Sequence, residues 1–205
     1  MTDLLPESKR EKQRQATHSA ILSAARSTMR NRGFKNTTIR EIASLSKVAV
    51  GTVMAHFGSK EDLLYEVFHG DIQQFADEVF TTLKPTRPLD AQLVYIGASF
   101  LNHYASEPEL YSDFLEHSLF ARGDWGERFT NQVKEAGTRI AAIYVASIQR
   151  KEIREDVNIE AAVLEFFAHY YFVLMIQIKS KFSDVESGAA QLKLLIDQHY
   201  RGIKL

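Results

Sequence analysis

One stretch near the N-terminus, residues 37–57, constrains the fold of this chain more than any other. It predicts two short helices joined by a tight turn. Ile42, Ala43 and Val53 have the spacing that packs two crossed helices on each other, and the small Ala43 permits their close approach. Residues 50–56 then keep a face free for a partner outside the domain. This arrangement predicts a helix-turn-helix, whose second helix enters a DNA major groove.

The charge of the chain is divided unevenly along its length. Residues 9–60 hold 11 Lys or Arg but only two carboxylates, Glu11 and Glu41. Residues 61–205 hold 14 Lys or Arg and 22 Asp or Glu, and with Asp3 and Glu7 the whole chain has a net charge of -1. A basic first quarter on an acidic remainder indicates a segment that binds a polyanion and a second part that does not. Charges scattered over solvated faces are the alternative interpretation.

Composition excludes several classes of protein. The chain has no cysteine, so disulfides and thiolate metal sites are excluded. The longest apolar run, residues 170–176, is shorter than the roughly 18 residues of a membrane span and favours a buried helix. Residues 1–8 are expected to form a frayed leader, and the polar N-terminus is unlike a signal peptide. The sequence therefore predicts a soluble, cytoplasmic protein.

Helical periodicity continues along the whole chain without a convincing alternating strand. Thr38 and Glu41 have capping-box spacing at the start of the second helix. The prediction is an all-α fold: a three-helix helix-turn-helix DNA-binding domain over residues 9–69, then a helical effector-binding and dimerisation bundle over residues 70–205. Gly70 marks the expected boundary.

Many positions between residues 17 and 67 agree together with one known pattern at fixed spacing. They are Ile21, Leu22, Ala24, Ala25, Gly33, Phe34, Thr37, Thr38, Ile42, Ala43, Val48, Gly51, Thr52, Val53, His56, Phe57, Ser59, Lys60, Glu61, Asp62 and Leu63. In these residues the chain resembles the DNA-binding domain of the TetR (tetracycline repressor-like) family of bacterial transcriptional regulators. The resemblance covers about a quarter of the chain and is more specific than a generic helix-turn-helix pattern.

The resemblance implies a set of DNA contacts. It implies that His56 and Lys60 contact operator phosphates, and that the residues nearest the bases are Arg40, Val50, Gly51 and Thr52. The side-chain chemistry agrees, because arginine can donate twice to guanine and threonine offers both a hydroxyl and a methyl group. The predicted DNA-binding residues are Thr37, Thr38, Arg40, Val50, Gly51, Thr52, Met54, Ala55, His56 and Lys60. For Thr37 and Thr38, helix capping without a phosphate contact is the alternative role.

The chain departs from the family pattern at three positions. Lys47 occupies the turn where the family usually has glycine, and Ala49 stands where a serine usually caps the recognition helix. Met54 replaces a phosphate-binding tyrosine. The recognition helix therefore has few polar groups that read bases, and DNA affinity is expected to rest on phosphate contacts and to fall steeply with salt.

The second domain is predicted to dimerise. The resemblance implies that the two helices before the last one pair with their copies in a four-helix interface. The second of these, near residues 158–181, is apolar almost all round, more than a single core face requires. The predicted interface residues are Ile140, Tyr144, Ile148, Phe166 and Val173.

The second domain is also rich in large aromatic residues with interleaved polar groups. Ordinary core packing is the simpler interpretation of any one of them, whereas the set predicts a pocket for a largely apolar effector. The polar groups would favour a cationic or hydroxylated compound. The predicted effector-binding residues are His103, Tyr104, Tyr111, Phe114, His117, Phe120, Trp125, Tyr144, Phe167, Tyr170 and Tyr171.

Catalytic and metal sites find little support. A di-iron bundle needs two Glu-x-x-His motifs, and only Glu66 to His69 fits. Glu165 and His169 share a helical face, for which a side-chain pair is the simpler interpretation. Phosphate-binding Gly-rich loops, His-Glu-x-x-His and Gly-x-Ser-x-Gly are all absent. The sequence predicts no catalytic residue, no metal and no cofactor.

Together these features predict a homodimeric transcriptional regulator, most simply a repressor that leaves a palindromic operator when an effector binds. Its expected partners are double-stranded DNA, a small-molecule effector and a second copy of the chain, with no membrane. One alternative is a helical small-molecule-binding protein whose DNA recognition has degraded, suggested by Lys47, Ala49 and Met54. A helical metalloprotein or enzyme is the other.

Overall fold

The computed structural model describes residues 8–205, and within them the prediction of an all-α fold is confirmed. The helices are α1 (Lys9–Asn36), α2 (Ile39–Leu45), α3 (Val50–Phe57), α4 (Lys60–Thr82), α5 (Leu89–Ala105), α6 (Pro108–Ser118), α7 (Gly123–Gln149), α8 (Ile159–Lys179) and α9 (Val185–Ile203). The chain divides into two compact units between Gly70 and Asp71, inside α4. Of the expected leader, Ser8 caps α1, and residues 1–7 lie outside the described residues.

The first unit is built around one face of α1. Ile21, Ala25 and Met29 are buried there, together with Ile42 of α2 and Val53 of α3. Four- and three-residue spacing puts the α1 residues on one stripe, which is the periodicity that the sequence predicts. Burial of this stripe fixes the three helices in one module.

The turn between α2 and α3 carries two local costs. Lys47 has a positive φ of 57°, a conformation that costs a non-glycine residue roughly 1 kcal/mol. Ala49 occupies the N-cap of α3 and provides no side-chain hydrogen bond, which forfeits about 1 kcal/mol of capping. Thr38 compensates at the preceding helix, because its capping box with Glu41 is complete. The turn has the helix-turn-helix form in spite of two unfavourable residues.

The second unit packs α5 against α9 and places α8 between α7 and α9. Gly97 allows the close approach of α5 and α9, since a Cβ atom there would lie 2.3 Å from Leu192 Cδ2. The core between these helices contains Leu93, Leu101 and Ile196, all at most 1% exposed. This packing leaves one face of α8 on the outside of the unit.

Helix α8 is unusual in its exposed apolar surface. Among the described residues it is the one helix long and apolar enough to cross a membrane, with 22% of its most apolar window buried inside the chain. One such helix is weak evidence for a membrane. Leu164 is 63% exposed, Phe172 49% and Met175 50%. These side chains form an apolar stripe that one copy of the chain leaves uncovered.

Candidate functional site

The outward face of α3 is mostly apolar. Val53 and Phe57 turn into the core of the first unit, whereas Val50 is 43% exposed and Met54 42% exposed. Gly51 and Ala55 are exposed beside them, and Thr52 is half-buried. The predicted contact residues of α3 therefore share one surface, on which the Thr52 hydroxyl and the His56 ring are the polar groups.

Thr37 and Thr38, at the start of α2, differ in burial and in hydrogen bonding. The Thr38 hydroxyl is exposed and donates to Glu41 Oε2 at 3.0 Å, and the Glu41 amide donates back to it at 3.3 Å. These bonds, with the Arg32 guanidinium nearby, lower the pKa of Glu41. Thr37 is 2% exposed and donates to the Gly33 carbonyl at 2.9 Å, so it lacks the free hydroxyl that a phosphate contact needs. Arg40 is exposed in the first turn of α2.

A groove between α1 and α3 adds cations to this surface. It is lined by Thr52 and His56 of α3 and, on α1, by Lys9, Arg10 and Arg14. Burial lowers the pKa of His56, and His18 and Arg14 lower it further. At pH 7 the His56 ring is therefore neutral and offers a hydrogen bond rather than a charge. The α1 cations supply the positive charge that the recognition helix lacks.

Lys60 is tied to the end of α1. Its Nζ donates to the carbonyl oxygens of Phe34 at 2.9 Å and Lys35 at 3.4 Å, and it lies 4.3 Å from the centre of the Phe34 ring. An ammonium has three protons, so these bonds leave one for a phosphate. Ser59 caps α4, because the Asp62 amide donates to its hydroxyl at 2.9 Å. Lys60 thus links two helices in addition to its predicted contact.

The second unit contains a narrow apolar cavity. About 780 Å³ of the cavity, its open mouth included, is free of protein atoms. The part of this volume in which the centre of a water molecule fits is only about 80 Å³. Such a shape admits a thin molecule better than a bulky one. The apolar wall, from α4 to α8, consists of Ile72, Ala76, Phe80, Ile96, Gly97, Phe100, Leu115, Phe129, Val133, Ala136, Ile140, Phe166, Phe167 and Leu174.

Three tyrosines provide hydroxyl groups in the cavity wall. They are Tyr104 of α5 and Tyr170 and Tyr171 of α8. Burial raises the pKa of Tyr171 to about 12 and raises the pKa values of Tyr104 and Tyr170 further. All three are therefore uncharged hydrogen-bonding groups throughout the physiological pH range.

A polar network stands at the cavity mouth and joins α4 to α7. Arg139 Nη2 lies 2.6 Å from Asp77 Oδ1 and 2.7 Å from Glu135 Oε1. Gln132 Nε2 donates to Gln73 Oε1 at 3.1 Å. The hydrogen bond to Asp77 raises the pKa of Arg139, with a further contribution from Glu135. The mouth is thus charged, although its cation is already paired with two carboxylates.

Only part of the predicted effector site lines this cavity. Tyr104, Phe167, Tyr170 and Tyr171 do; those that do not are His103, Tyr111, Phe114, His117, Phe120, Trp125 and Tyr144. Tyr111 donates to Asp71, and its oxygen also lies 2.7 Å from His103 Nε2. The Tyr144 hydroxyl lies 2.9 Å from His199 Nε2. These polar groups serve internal contacts between helices, which is a structural role.

The other predicted effector residues also lie outside the cavity wall. Phe114 is 2% exposed in the core, whereas Phe120 is 82% exposed on the surface. His117 Nδ1 lies 2.6 Å from the Asp113 carbonyl oxygen of its own helix. Trp125 stacks under the Arg128 guanidinium, 4.6 Å from the ring centre. The predicted aromatic set therefore extends beyond the residues that line the cavity.

Sequence reasoning missed the α7 residues that line the cavity. Ala136 lines it, and a Cβ atom on the neighbouring Gly137 would lie 3.4 Å from Phe167. Ala136 and Gly137 are both small, which predicts a close approach of helices. The short side chain of Ala136 leaves space in the cavity. Arg139 was also missed, because its spacing from the apolar residues of α7 is that of an ordinary surface cation.

The predicted dimer residues need correction. Ile140, Tyr144, Phe166 and Val173 are at most 3% exposed within their own chain, so a partner could not contact them, and Ile148 is half-buried. An all-round apolar helix does not reveal which of its faces the chain itself covers. The large apolar side chains that remain exposed on α7, α8 and α9 are Val145, Leu164, Phe172, Met175, Ile176 and Leu194.

Glu165 and His169, considered above as a metal pair, lie beside His199. Glu165 Oε2 is 2.9 Å from His199 Nδ1, and burial lowers the pKa of His169. Within residues 8–205 no group of three or more His, Asp or Glu side chains is arranged to hold a metal ion.

Comparison with known proteins agrees with this architecture. Residues 21–67 match the model of the family described as bacterial regulatory proteins, tetR family. The transcriptional repressor KstR2 of Rhodococcus jostii (strain RHA1) is 25% identical over 150 residues, which are 69% of this chain and 70% of that protein. The fatty acid metabolism regulator protein of Bacillus subtilis (strain 168) is 22% identical over 155 residues, 74% of this chain and 78% of that protein.

Solved structures extend the likeness over both units. The crystal structure of the transcriptional regulator FadR from Bacillus subtilis in complex with stearoyl-CoA superposes with a TM-score of 0.70 at 20% sequence identity. The match covers 87% of this chain and 97% of that one. The two chains share a fold.

Proposed function

We propose that this chain, which belongs to the tetR family of bacterial regulatory proteins, represses transcription and leaves its operator when an acyl ligand fills the cavity. It is a ligand-responsive DNA-binding regulator. The observation that carries the choice of ligand is the narrow apolar cavity, with a polar mouth, in the unit that follows the DNA-binding module.

The DNA-binding surface consists of α3 together with the start of α1. Arg40 and Thr52 would read bases, since Val50 is apolar and Met54 offers only a weak sulfur acceptor. Lys9, Arg10 and Arg14 border the same groove and would neutralise phosphates. Binding of this kind releases counterions, so its affinity falls steeply as salt rises.

The exposed apolar stripe of α8 is best explained by a second copy of the chain. Leu164, Phe172 and Met175 lie along one side of α8, and Leu194 of α9 is 68% exposed. A stripe of this size on a single chain is a liability in water. Covering it with the same stripe of another copy forms a two-fold dimer, which matches a palindromic operator with two half-sites.

The cavity favours an unbranched acyl chain over the cationic or hydroxylated compound expected from the sequence. The residues that line it include no histidine, and most of them are aliphatic or aromatic. A thin polymethylene chain gains free energy with each buried carbon, at about 0.8 kcal/mol per CH₂. The shared fold with FadR, whose crystal structure holds stearoyl-CoA, supports this class of ligand.

Helix α4 provides the route from ligand to DNA. It begins at Lys60 in the DNA-binding unit and supplies Ile72 and Ala76 to the cavity wall. Asp77 on the same helix pairs with Arg139 at the mouth. A ligand that binds one position of α4 more tightly than another shifts the population between them, and no other coupling is needed.

The relatives are regulators rather than enzymes, and we assign no catalytic residue, metal or cofactor. A bacterial repressor of this kind works in the cytoplasm, where the operator is, and the apolar face of α8 is assigned to the second copy rather than to a membrane.

Selection of genomic fragments by the purified protein tests this function. We expect enrichment of a fragment with an inverted repeat, and an affinity that falls by roughly 10³-fold or more between 50 and 200 mM salt. Arg14→Gln should weaken binding and reduce the salt dependence. The matched control is Arg154→Gln, which removes an exposed arginine paired with Asp156 in the second unit and should change neither.

Failure to select any fragment at low salt would contradict the proposal. A protein that bound acyl ligands under those conditions would instead be the helical ligand-binding protein with degraded DNA recognition.

A further inference from the structure

One hydroxyl among the residues of the cavity wall makes no hydrogen bond of normal geometry. Tyr170 is 8% exposed, and within the described part of the chain its oxygen is buried without an acceptor or donor in normal geometry. Native proteins pair nearly all buried polar groups, so an exception calls for an explanation. A ligand in the cavity is one, because Tyr170 lines it.

The surroundings of this hydroxyl are apolar apart from two other tyrosines. The Phe166 ring stacks parallel to the Tyr170 ring, with centroids 6.2 Å apart. The Tyr104 hydroxyl interacts with the Tyr170 hydroxyl closely enough to shift the pKa values of both tyrosines, but the two groups do not meet in the geometry of a normal hydrogen bond. Tyr170 therefore has an O–H donor that no hydrogen bond of normal geometry satisfies.

The same helix bundle offers a comparison in Tyr144. It is 0% exposed, and its hydroxyl lies 2.9 Å from His199 Nε2 and donates to the Ala162 carbonyl at 3.4 Å. A tyrosine can therefore be buried in this unit with its hydroxyl group hydrogen-bonded. Tyr170 is the member of the pair that lines the cavity, and its hydroxyl is the one without a hydrogen bond of normal geometry.

The chemistry of the wall selects the atom that would complete this bond. A carboxylate buried there would need a cation, because an unpaired charge in an apolar site is far more costly than an unpaired dipole. The one cation that lines the cavity is Arg139, already within 2.7 Å of two carboxylates. A neutral carbonyl oxygen needs only a donor such as the Tyr170 hydroxyl.

We propose that Tyr170 is a specificity-determining residue that donates a hydrogen bond to a neutral carbonyl oxygen of the ligand, so that the cavity selects acyl thioesters or esters over plain hydrocarbon chains. This inference rests on the proposed acyl ligand. It adds to that proposal the position and the polarity of one recognised atom. The remaining wall then accounts for chain binding, and Tyr170 accounts for the identity of the group that joins the chain to its carrier.

Two probes that differ by this oxygen test the inference. Stearoyl-CoA carries the thioester carbonyl, and S-octadecyl-CoA, a thioether of the same chain length, lacks it. Their affinities for the intact protein are measured by calorimetry. We expect the wild type to bind the thioester about 10-fold more tightly, as the loss of one buried hydrogen bond implies. Tyr170→Phe should remove most of this preference.

Stability separates ligand recognition from a structural role. Tyr170→Phe removes an unpaired hydroxyl, so its melting temperature should equal or exceed that of the wild type. Tyr144→Phe removes a hydrogen-bonded hydroxyl and should lower the melting temperature. It should keep the preference of about 10-fold for the thioester probe over the thioether probe.

The possible failures are distinguishable. Equal affinity of the two probes for the wild type, or a preference that survives in Tyr170→Phe, would overturn the role of Tyr170 and leave the acyl ligand standing. If the wild type bound neither probe, the proposed acyl ligand would be wrong, and the role of Tyr170 would fail with it.

Discussion

Replacing Phe172 with glutamate is expected to convert the protein to a monomer and to weaken operator binding by at least about 100-fold. Phe172 is 49% exposed in one copy of the chain and lies on the apolar stripe that a second copy would cover. A carboxylate at this position would be buried without a partner charge in the dimer, whereas water solvates it in the monomer. Loss of the dimer removes simultaneous contact with two half-sites.

Light scattering coupled to size exclusion measures the mass, and a gel-shift titration measures the affinity. The control is Phe120→Glu, the same change at a side chain that is 82% exposed and away from α8. This control should stay dimeric and bind DNA normally. A dimeric Phe172→Glu variant with unchanged affinity would show that the interface lies elsewhere.

Replacing Ala136 with phenylalanine is expected to produce a repressor that binds DNA but no longer responds to the ligand. Ala136 lines a narrow cavity, in which the centre of a water molecule fits within only about 80 Å³. An aromatic ring at this position therefore occupies the space that an acyl chain needs. The affinity for stearoyl-CoA should fall by about 100-fold or more, because most of the buried hydrocarbon contact is lost. The operator affinity without ligand should change little, since a ring on α7 that fills existing space does not favour a different position of α4, which the release of DNA requires.

Calorimetry with stearoyl-CoA and operator binding with and without it measure the two effects. Thr138→Phe is the matched control, because it adds the same ring to an exposed position two residues along α7. The control should bind ligand and release DNA as the wild type does. Ligand release that persists in a folded Ala136→Phe protein would show that the effector binds outside this cavity.

The DNA-binding module could be predicted in detail because its determinants are local. The capping box of Thr38 and Glu41 needs only residues three apart, and it forms as expected. The positive φ of Lys47 and the uncapped N-terminus of α3 at Ala49 likewise follow from single residues in a known turn. Thr37 is different, because its burial depends on the kink of α1 at Gly33, where the backbone leaves helical geometry.

The ligand cavity could be predicted in kind but not residue by residue. Tyr104 and Tyr111 are both aromatic, buried and close in sequence, yet one lines the cavity and the other bonds Asp71. The choice depends on how α5 and α6 are rotated about their axes, which is set by contacts with distant helices. The dimer residues failed for the same reason, since the apolar pattern of α8 does not distinguish its inner face from its outer one.

The central claim is that occupation of the cavity releases DNA. The most direct measurement is a titration of stearoyl-CoA into the complex of the wild-type protein with its selected operator fragment, with bound DNA followed by fluorescence anisotropy. We predict complete release of the operator at one acyl chain per protomer, and no release by coenzyme A alone. An operator complex that stayed intact at concentrations of stearoyl-CoA that saturate the free protein would contradict this account.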